Sequence, residues 1–245
     1  MGVCVRPVPA PETGQRVLDE GDEAALDAAL QLGAALGAEV AALAAGPPPV
    51  VVGLRKALAL GAVRALRIDA DEALLSDPAV TARVLAAGAR RLDVDLLITG
   101  AQSDASGSGL TGPATAAALG WPSVWLTWHA EVEAGAEGVA LTVVQELEGR
   151  RRRRLRVRLP AVLAIQTGSY RPRMATIRGV LAAKRVALET VEVAALDLGP
   201  AGCMPRLRRL ALERPPAAGG VEWIDAAGGG AARRLVARLR EERLL

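Results

Sequence analysis

Short apolar runs alternate with longer segments of helical periodicity from Val3 to Gly120. The longer segments repeat their apolar residues at intervals of three and four positions, which is typical of helices that cover a sheet. Strands joined in this way by helices predict an α/β fold with a mostly parallel sheet. The strands expected in this part are Gly2–Val8, Glu39–Ala45, Ala65–Ile68 and Asp95–Thr99.

Capping residues mark where the helices between these strands should begin and end. Asp22 can cap the first helix, and Gly37 can end it in a left-handed conformation. The second helix is expected over residues 51–60, before Gly61. Asp77 can cap the third helix, and Pro78 suits its first turn because proline needs no backbone N–H there.

The spacing of apolar residues changes after Pro122. Strand-length segments separated by glycine-containing turns predict antiparallel strands added to the parallel sheet. Within "GRRRRRLRVRLP", arginines alternate with Leu155 and Val157, which favours a solvent-facing sheet edge. A nucleic-acid site is disfavoured, because the run carries no aromatic residue on which a base could stack. A further strand is expected near Glu189–Val193, and an amphipathic helix over Ala231–Leu245 ends a tail rich in proline and glycine.

The loop "GAQSDASGSG" follows the fourth expected strand and leads into a helix that should begin near Leu110. Its backbone amides and the hydroxyls of Ser103, Ser106 and Ser108 could surround a phosphate at the carboxyl edge of a parallel sheet. A long loop without any ligand explains the same pattern equally well. No GxGxxG follows the first strand and no GxxxxGK[ST] occurs, so neither a dinucleotide fingerprint nor a phosphate-binding P-loop is present.

Composition narrows the class of protein further. The 245 residues are 51% apolar, enough for a buried core, and the net charge is only +3. Apolar runs end well before the roughly 18 residues of a membrane span, and we expect a cytoplasmic protein. Cys4 and Cys203 match no metal or redox spacing, and His129 has no second histidine with which to pair. We therefore expect no metal site.

Five motifs in order carry a family resemblance. They are "VCVRPVP" at the amino terminus, "DEAALDAALQL", "ALALGAVRALRI", "DLLITGAQSDASGSGLTGPATAAALGWP" and "RLPAVLAIQTGSYRPRMATIRGVLAAKR". The fourth is the most specific, since it resembles the pattern DLVLxGxQSxDxxxGQTGxxLAxxLGWP. Along nearly its whole length the chain resembles the beta subunits of electron transfer flavoproteins.

The resemblance implies an α/β fold of the adenine-nucleotide alpha-hydrolase-like type in a heterodimer with a larger alpha subunit. The alpha subunit would hold most of a redox-active FAD, and this chain would hold AMP or a second FAD. A donor dehydrogenase would bind transiently. Because the flavin performs the chemistry, the resemblance implies a carrier without catalytic residues of its own.

Site residues follow from the motifs position by position. The resemblance places the nucleotide against Cys4, Asp19, Gly21, Asp22, Ala45, Gly100, Ala101, Gln102, Ser103, Asp104, Ser106, Gly107, Ser108, Gly109, Leu110 and Thr111. The chain departs from the family at three of these places. Asp19, Glu20 and Gly21 replace Asn-Pro-Phe, Leu110 replaces glutamine, and Ser106 or Gly107 replaces an aspartate.

A partner-docking segment is implied at residues 166–185, with Arg173, Ala175, Thr176, Ile177 and Lys184 as its docking residues and Ile177 as the apolar anchor. Without the resemblance, an ordinary amphipathic helix over the sheet would be the preferred interpretation. The segment lacks the acidic residue of the family pattern, which indicates a specialised donor. It belongs to an expected nucleotide-binding domain of residues 1–193, followed by an arm, 194–245, that packs on the alpha subunit.

One alternative from another class remains open. A protein of the same fold can act alone as an adenine-nucleotide sensor or hydrolase. A pyrophosphate-cleaving enzyme of that group should carry an SGGxDS-like loop after the first strand, and "RPVPAPETG" does not match it.

Overall fold

The computed structural model describes residues 1–10, 12–103, 106–133, 138–171, 173–199, 202–207, 210–211, 213, 220, 223–224 and 230–245. Asp104, one of the expected nucleotide ligands, lies outside the described residues. The chain divides into two compact units, Met1–Arg208 and Arg209–Leu245. The expected functional division after residue 193 stays a prediction.

A nine-stranded sheet forms the centre of the first unit, in the order β11-β5-β4-β1-β6-β10-β7-β8-β9. Neighbours from β11 to β7 are parallel, whereas β8 pairs antiparallel with both β7 and β9. The predicted mostly parallel α/β sheet with added antiparallel strands is confirmed. The strands are β1 Gly2–Cys4, β4 Ala41–Ala45, β5 Arg64–Asp69, β6 Leu96–Gly100, β7 Ser123–Glu133, β8 Ala140–Leu147, β9 Arg151–Arg158, β10 Ala161–Ile165 and β11 Glu189–Glu192, with a separate hairpin of β2 Val8–Pro9 and β3 Arg16–Val17.

Helices cover both faces of this sheet. On one face, Leu26, Leu54 and Ala183 belong to a buried cluster with the sheet, and on the other face Val80 and Ala116 belong to a second cluster. The first face carries α1 Glu20–Leu36, α2 Val51–Leu60 and α5 Ile177–Arg185, and the second carries α3 Pro78–Arg91 and α4 Thr111–Leu119. None of the described helices is long and apolar enough to cross a membrane.

The first helix begins three residues earlier than expected. Asp19, not Asp22, is its N-cap, and the Asp19 carboxylate accepts a hydrogen bond of 2.9 Å from the backbone N–H of Asp22. Four of the five residues from 19 to 23 are acidic, so the local sequence does not single out one of them as the cap. Gly37 ends the helix at φ 62°, as predicted.

Two further boundaries differ from the sequence-based expectation. The first strand ends at Cys4, not Val8, because Pro7 and Pro9 have no backbone N–H for a continuing ladder. Val8 instead pairs antiparallel with Val17 in the β2–β3 hairpin. In the second unit, helix α6 spans Ala231–Glu241 and stops short of the expected Leu245.

Asp77 joins two parts of the first unit. Its Oδ1 accepts the N–H of Ala79 at 2.7 Å and so caps α3. Its Oδ2 accepts the N–H groups of Arg206 at 2.5 Å and Leu207 at 3.0 Å. Burial disfavours the charged carboxylate, but the bonds from Arg206, Ala79 and Leu207 outweigh this effect and lower its pKa. Asp77 thus fixes the path of residues 206–207 against the start of α3.

We expect Asp77→Ala to lower the free energy of unfolding by about 2 kcal/mol, since it removes a cap and two further hydrogen bonds. Asp77→Ser should restore the cap of α3 but not the two hydrogen bonds from Arg206 and Leu207. Because the folded pKa is lowered, the stabilisation is present above the unfolded value and is lost as pH falls through the folded pKa. Urea unfolding at pH 7 and pH 3 should therefore show a smaller difference between wild type and Asp77→Ser at pH 3. An equal difference at both values would contradict this role.

Candidate functional site

A cavity opens beyond the carboxyl ends of β1, β4 and β6. Helix α1 follows β1 on one face of the sheet, whereas α4 follows β6 on the other, so the gap between these neighbouring strands is where connections diverge. Parallel sheets bind ligands at such switch points. The lining residues are Cys4, Val5, Arg6, Asp19, Asp22, Ala45, Leu75, Thr81, Leu85, Thr99, Gly100, Ala101, Gln102, Ser103, Ser106, Ser108, Gly109 and Thr111.

The loop after β6 is held by its own hydrogen bonds. The Gln102 Nε2 donates to the carbonyl of Gly107 at 2.6 Å, and the N–H of Gly107 donates to the Ser103 carbonyl at 2.7 Å. Trp125 closes the outer side, where its indole N–H donates to the Ala101 carbonyl at 3.3 Å. These bonds hold the described residues on either side of positions 104–105, and the exposed Ser106 and Ser108 are among the residues that line the cavity.

Two glycines let the start of α1 approach the end of β6. A Cβ atom on Gly100 would lie 3.0 Å from the backbone carbon of Gly21, and one on Gly21 would lie 2.9 Å from the carbonyl oxygen of Gln102. Real Cβ atoms essentially never come as close as 2.9 Å, and a contact of 3.0 Å is tighter than nine in ten of those they make. The contact places the first turn of α1 directly beside the loop.

Two carboxyl groups lie together in the cavity. The cavity leaves Asp22 partly exposed, but protein otherwise surrounds its carboxyl, which accepts the N–H of Arg6 at 2.5 Å. Burial first, and then the neighbouring charge of Asp19, raise the pKa of Asp22 to about 8. Burial also raises the pKa of the Cys4 thiol above its ordinary range. The raised pKa favours the protonated form of Asp22 at neutral pH.

Comparison with known proteins identifies the family. Residues 10–196 match the family model described as electron transfer flavoprotein domain. The chain belongs to the electron transfer flavoprotein family. It is 32% identical over 200 residues to "Electron transfer flavoprotein subunit beta" of Methylophilus methylotrophus, covering 79% of this chain and 75% of the relative. The bovine protein of the same name is 33% identical, with 73% and 68% covered, and the Bacillus subtilis one is 27% identical, with 94% and 91% covered.

The resemblance to electron transfer flavoprotein beta subunits that the motifs predicted is thereby confirmed. Members of this family transfer electrons as carriers rather than catalysts. Most of the nucleotide ligands expected from the motifs lie together around the cavity, namely Cys4, Asp19, Asp22, Ala45, Gly100, Ala101, Gln102, Ser103, Ser106, Ser108, Gly109 and Thr111. Their ligand stays a prediction.

The other expected residues within the described part of the chain lie beside the cavity lining. Gly21 provides the close contact with Gly100, and Gly107 accepts the hydrogen bond from Gln102. Leu110 precedes α4 and is 48% exposed.

Sequence reasoning missed several lining residues of this electron transfer flavoprotein chain. Arg6 lies two residues after the end of β1 and could have been found from that position. Thr81 and Leu85 lie one turn apart on α3, and Thr81 donates its hydroxyl hydrogen to the Leu75 carbonyl at 2.9 Å. No local motif marks Thr81 or Leu85, because they reach the cavity only through the packing of α3 on the sheet.

The segment expected to dock partners lies on the surface of the first unit. Thr176 caps α5 by accepting the N–H of Gly179 at 3.1 Å. Ile177 is 82% exposed and Met174 is 95% exposed, although both are apolar. Arg173 and Lys184 are also exposed, whereas Ala175 is half-buried.

The raised pKa of Asp22 has a consequence for stability. Between the unfolded pKa near 3.8 and the folded value of about 8, the native state keeps a proton that the unfolded chain releases, so stability falls as pH rises through this window. Asp22→Asn resembles the protonated form and should remove this contribution. At pH 9 we expect the variant to be more stable than wild type by about 1–3 kcal/mol, and at pH 4 to be similar.

Urea unfolding of wild type and Asp22→Asn at pH 4, 7 and 9 checks this predicted difference in stability. Asp93→Asn is the matched control, since Asp93 is exposed on the turn after α3 and Asn also tolerates its positive φ of 52°. Parallel pH profiles for wild type and Asp22→Asn would show that Asp22 ionises normally.

Proposed function

We propose that this chain is the beta subunit of a heterodimeric electron transfer flavoprotein. It accepts electrons from a dehydrogenase through FAD held mainly by an alpha subunit, passes them to an acceptor, and itself holds AMP or a second FAD. The observation that carries the proposal is the cavity at the switch point, where the family's characteristic loop meets the first turn of α1. The family membership supports the electron-transfer role.

The residues of the cavity fit a nucleotide. Val5, Leu75 and Leu85 offer an apolar surface to a base, and Ser106, Ser108 and Thr111 offer hydroxyl groups to ribose and phosphate. The two carboxyls are the unfavourable element for a phosphate.

Two features reduce that repulsion. The raised pKa of Asp22 favours its protonated form at neutral pH, and Arg6 contributes a cation to the lining. In this proposal a bound flavin would supply the electron uptake and release, and a bound AMP would have a structural role. The part of this chain is to bind and orient the nucleotide and to shape its surroundings.

Each unit offers a surface for the alpha subunit or the donor. Helix α6 of the second unit exposes Leu235 and Val236 among arginines, which suits an arm that packs on an alpha subunit. In the first unit, the docking segment (residues 166–185) presents Met174 and Ile177 beside basic side chains. An exposed apolar anchor within a basic rim suits a transient contact with an acidic dehydrogenase surface.

The composition of the purified complex tests the main proposal. We expect coexpression with an alpha-type subunit to give a stable heterodimer that releases either one FAD and one AMP, or two FAD. Chromatography and mass measurement of the released nucleotides distinguish the two cases. Failure to form a complex, or a monomer that binds and hydrolyses ATP, would favour the stand-alone sensor or hydrolase.

The docking segment is tested by Ile177→Ala in the heterodimer. Loss of an apolar anchor should lower the rate of flavin reduction by a donor at subsaturating concentration roughly tenfold, with flavin content unchanged. The measurement uses a panel of dehydrogenases that includes acyl-CoA dehydrogenases. Val63→Ala is the control, because Val63 is a 50%-exposed aliphatic residue outside the segment. Equal effects of both substitutions would contradict the docking role, and efficient reduction by acyl-CoA dehydrogenases would contradict a specialised donor.

A further inference from the structure

A buried carboxylate lies beneath the docking segment. Asp27 on α1 is only 3% exposed. Its Oδ1 accepts a hydrogen bond from the Nε of Arg173, and its Oδ2 accepts one of 2.7 Å from the Nε2 of Gln31. A buried charge is unfavourable unless it is paired and hydrogen-bonded, so Arg173 is held where Asp27 needs it.

We propose that Asp27 is a positioning residue for donor docking. By holding Arg173, Asp27 fixes the chain one residue before Met174 and four residues before Ile177. These two apolar side chains then project into solvent in a defined arrangement. The proposal rests on the docking role proposed above and adds a residue that does not itself reach the surface. It also assigns Arg173 to the support of the segment as well as to its exposed surface.

The other end of the segment is fastened independently. The guanidinium of Arg55 on α2 donates to the carbonyls of Ala183 and Val186, the latter at 2.6 Å, at the end of α5. In the first turn of α5, Gly179 lies against the carbonyl of Ala59, where a Cβ atom would clash. Because α5 is held by α2, the bond between Asp27 and Arg173 determines the path of the residues that lead into it.

The two partners differ in exposure, and this predicts an asymmetry. The Asp27 side chain is 4% exposed, whereas the Arg173 side chain is 48% exposed. Asp27→Asn leaves the half-exposed arginine to be solvated by water, which should lower the stability of the fold only slightly. Arg173→Gln leaves a buried carboxylate with a weaker set of partners. Both changes should loosen the start of the docking segment, but Arg173→Gln should lower the melting temperature more.

Amide hydrogen exchange on the full chain tests the role of the bond between Asp27 and Arg173 without any donor. We expect peptides covering residues 173–181 to exchange roughly tenfold faster in Asp27→Asn, in Arg173→Gln and in the double variant. The effects should not add, because both substitutions remove the same charge-assisted pairing between the two side chains. Asp93→Asn, the control for an Asp-to-Asn change at an exposed position, should exchange like wild type. Wild-type exchange in Asp27→Asn would overturn the proposal.

Electron transfer in the heterodimer then separates positioning from simple stability. The donor is the dehydrogenase of the panel above that reduces the wild-type heterodimer fastest. We expect Asp27→Asn to raise the apparent KM for the heterodimer about fivefold to tenfold at unchanged kcat and unchanged flavin content. Faster exchange with an unchanged KM would show that Asp27 does not position the docking surface. If Ile177→Ala also left KM unchanged, the docking function itself would be at fault.

Discussion

The contact between Gly21 and Gly100 is the constraint on which the site depends. It brings the amino-terminal turn of α1 against the end of the central strand β6, with no side chain between the two backbones. Any larger residue at either place would push the helix away from the loop that follows the strand. The cavity would then lose the wall that carries Asp19 and Asp22, and its two sides would no longer face one ligand.

Helix α1 carries this constraint to a second part of the first unit. Asp22 faces the cavity and Asp27 holds Arg173, and their separation of five positions corresponds to about 7.5 Å along the helix. Glu23 between them forms an ion pair with Lys56 of α2, the helix that holds α5. One rigid element therefore sets the geometry of the cavity and of the surface segment together, so neither can shift alone without strain at the other.

Local signals predicted the parts of the fold that depend on neighbouring residues. Asp77 followed by Pro78 correctly predicts the start of α3, because the capping by Asp77 and the preference of proline for the first turn both act within one turn of helix. The predicted cap of α1, Asp22, is wrong, since four acidic residues lie within residues 19–23 and only the path of the preceding chain selects Asp19. The pair of Asp27 and Arg173 is 146 residues apart. No pattern along the chain reveals such a pair, and the same holds for the side chains that α3 contributes to the cavity.

The arginines of β9 have a consequence for the free chain. Among the described residues β9 lies at one edge of the sheet, with backbone groups available for pairing with another strand. If two copies met edge to edge, arginine would face arginine along most of the seam, and the like charges would keep them apart. The repulsion disfavours edge-to-edge aggregation of identical copies, while an acidic strand from a different polypeptide would meet no such barrier.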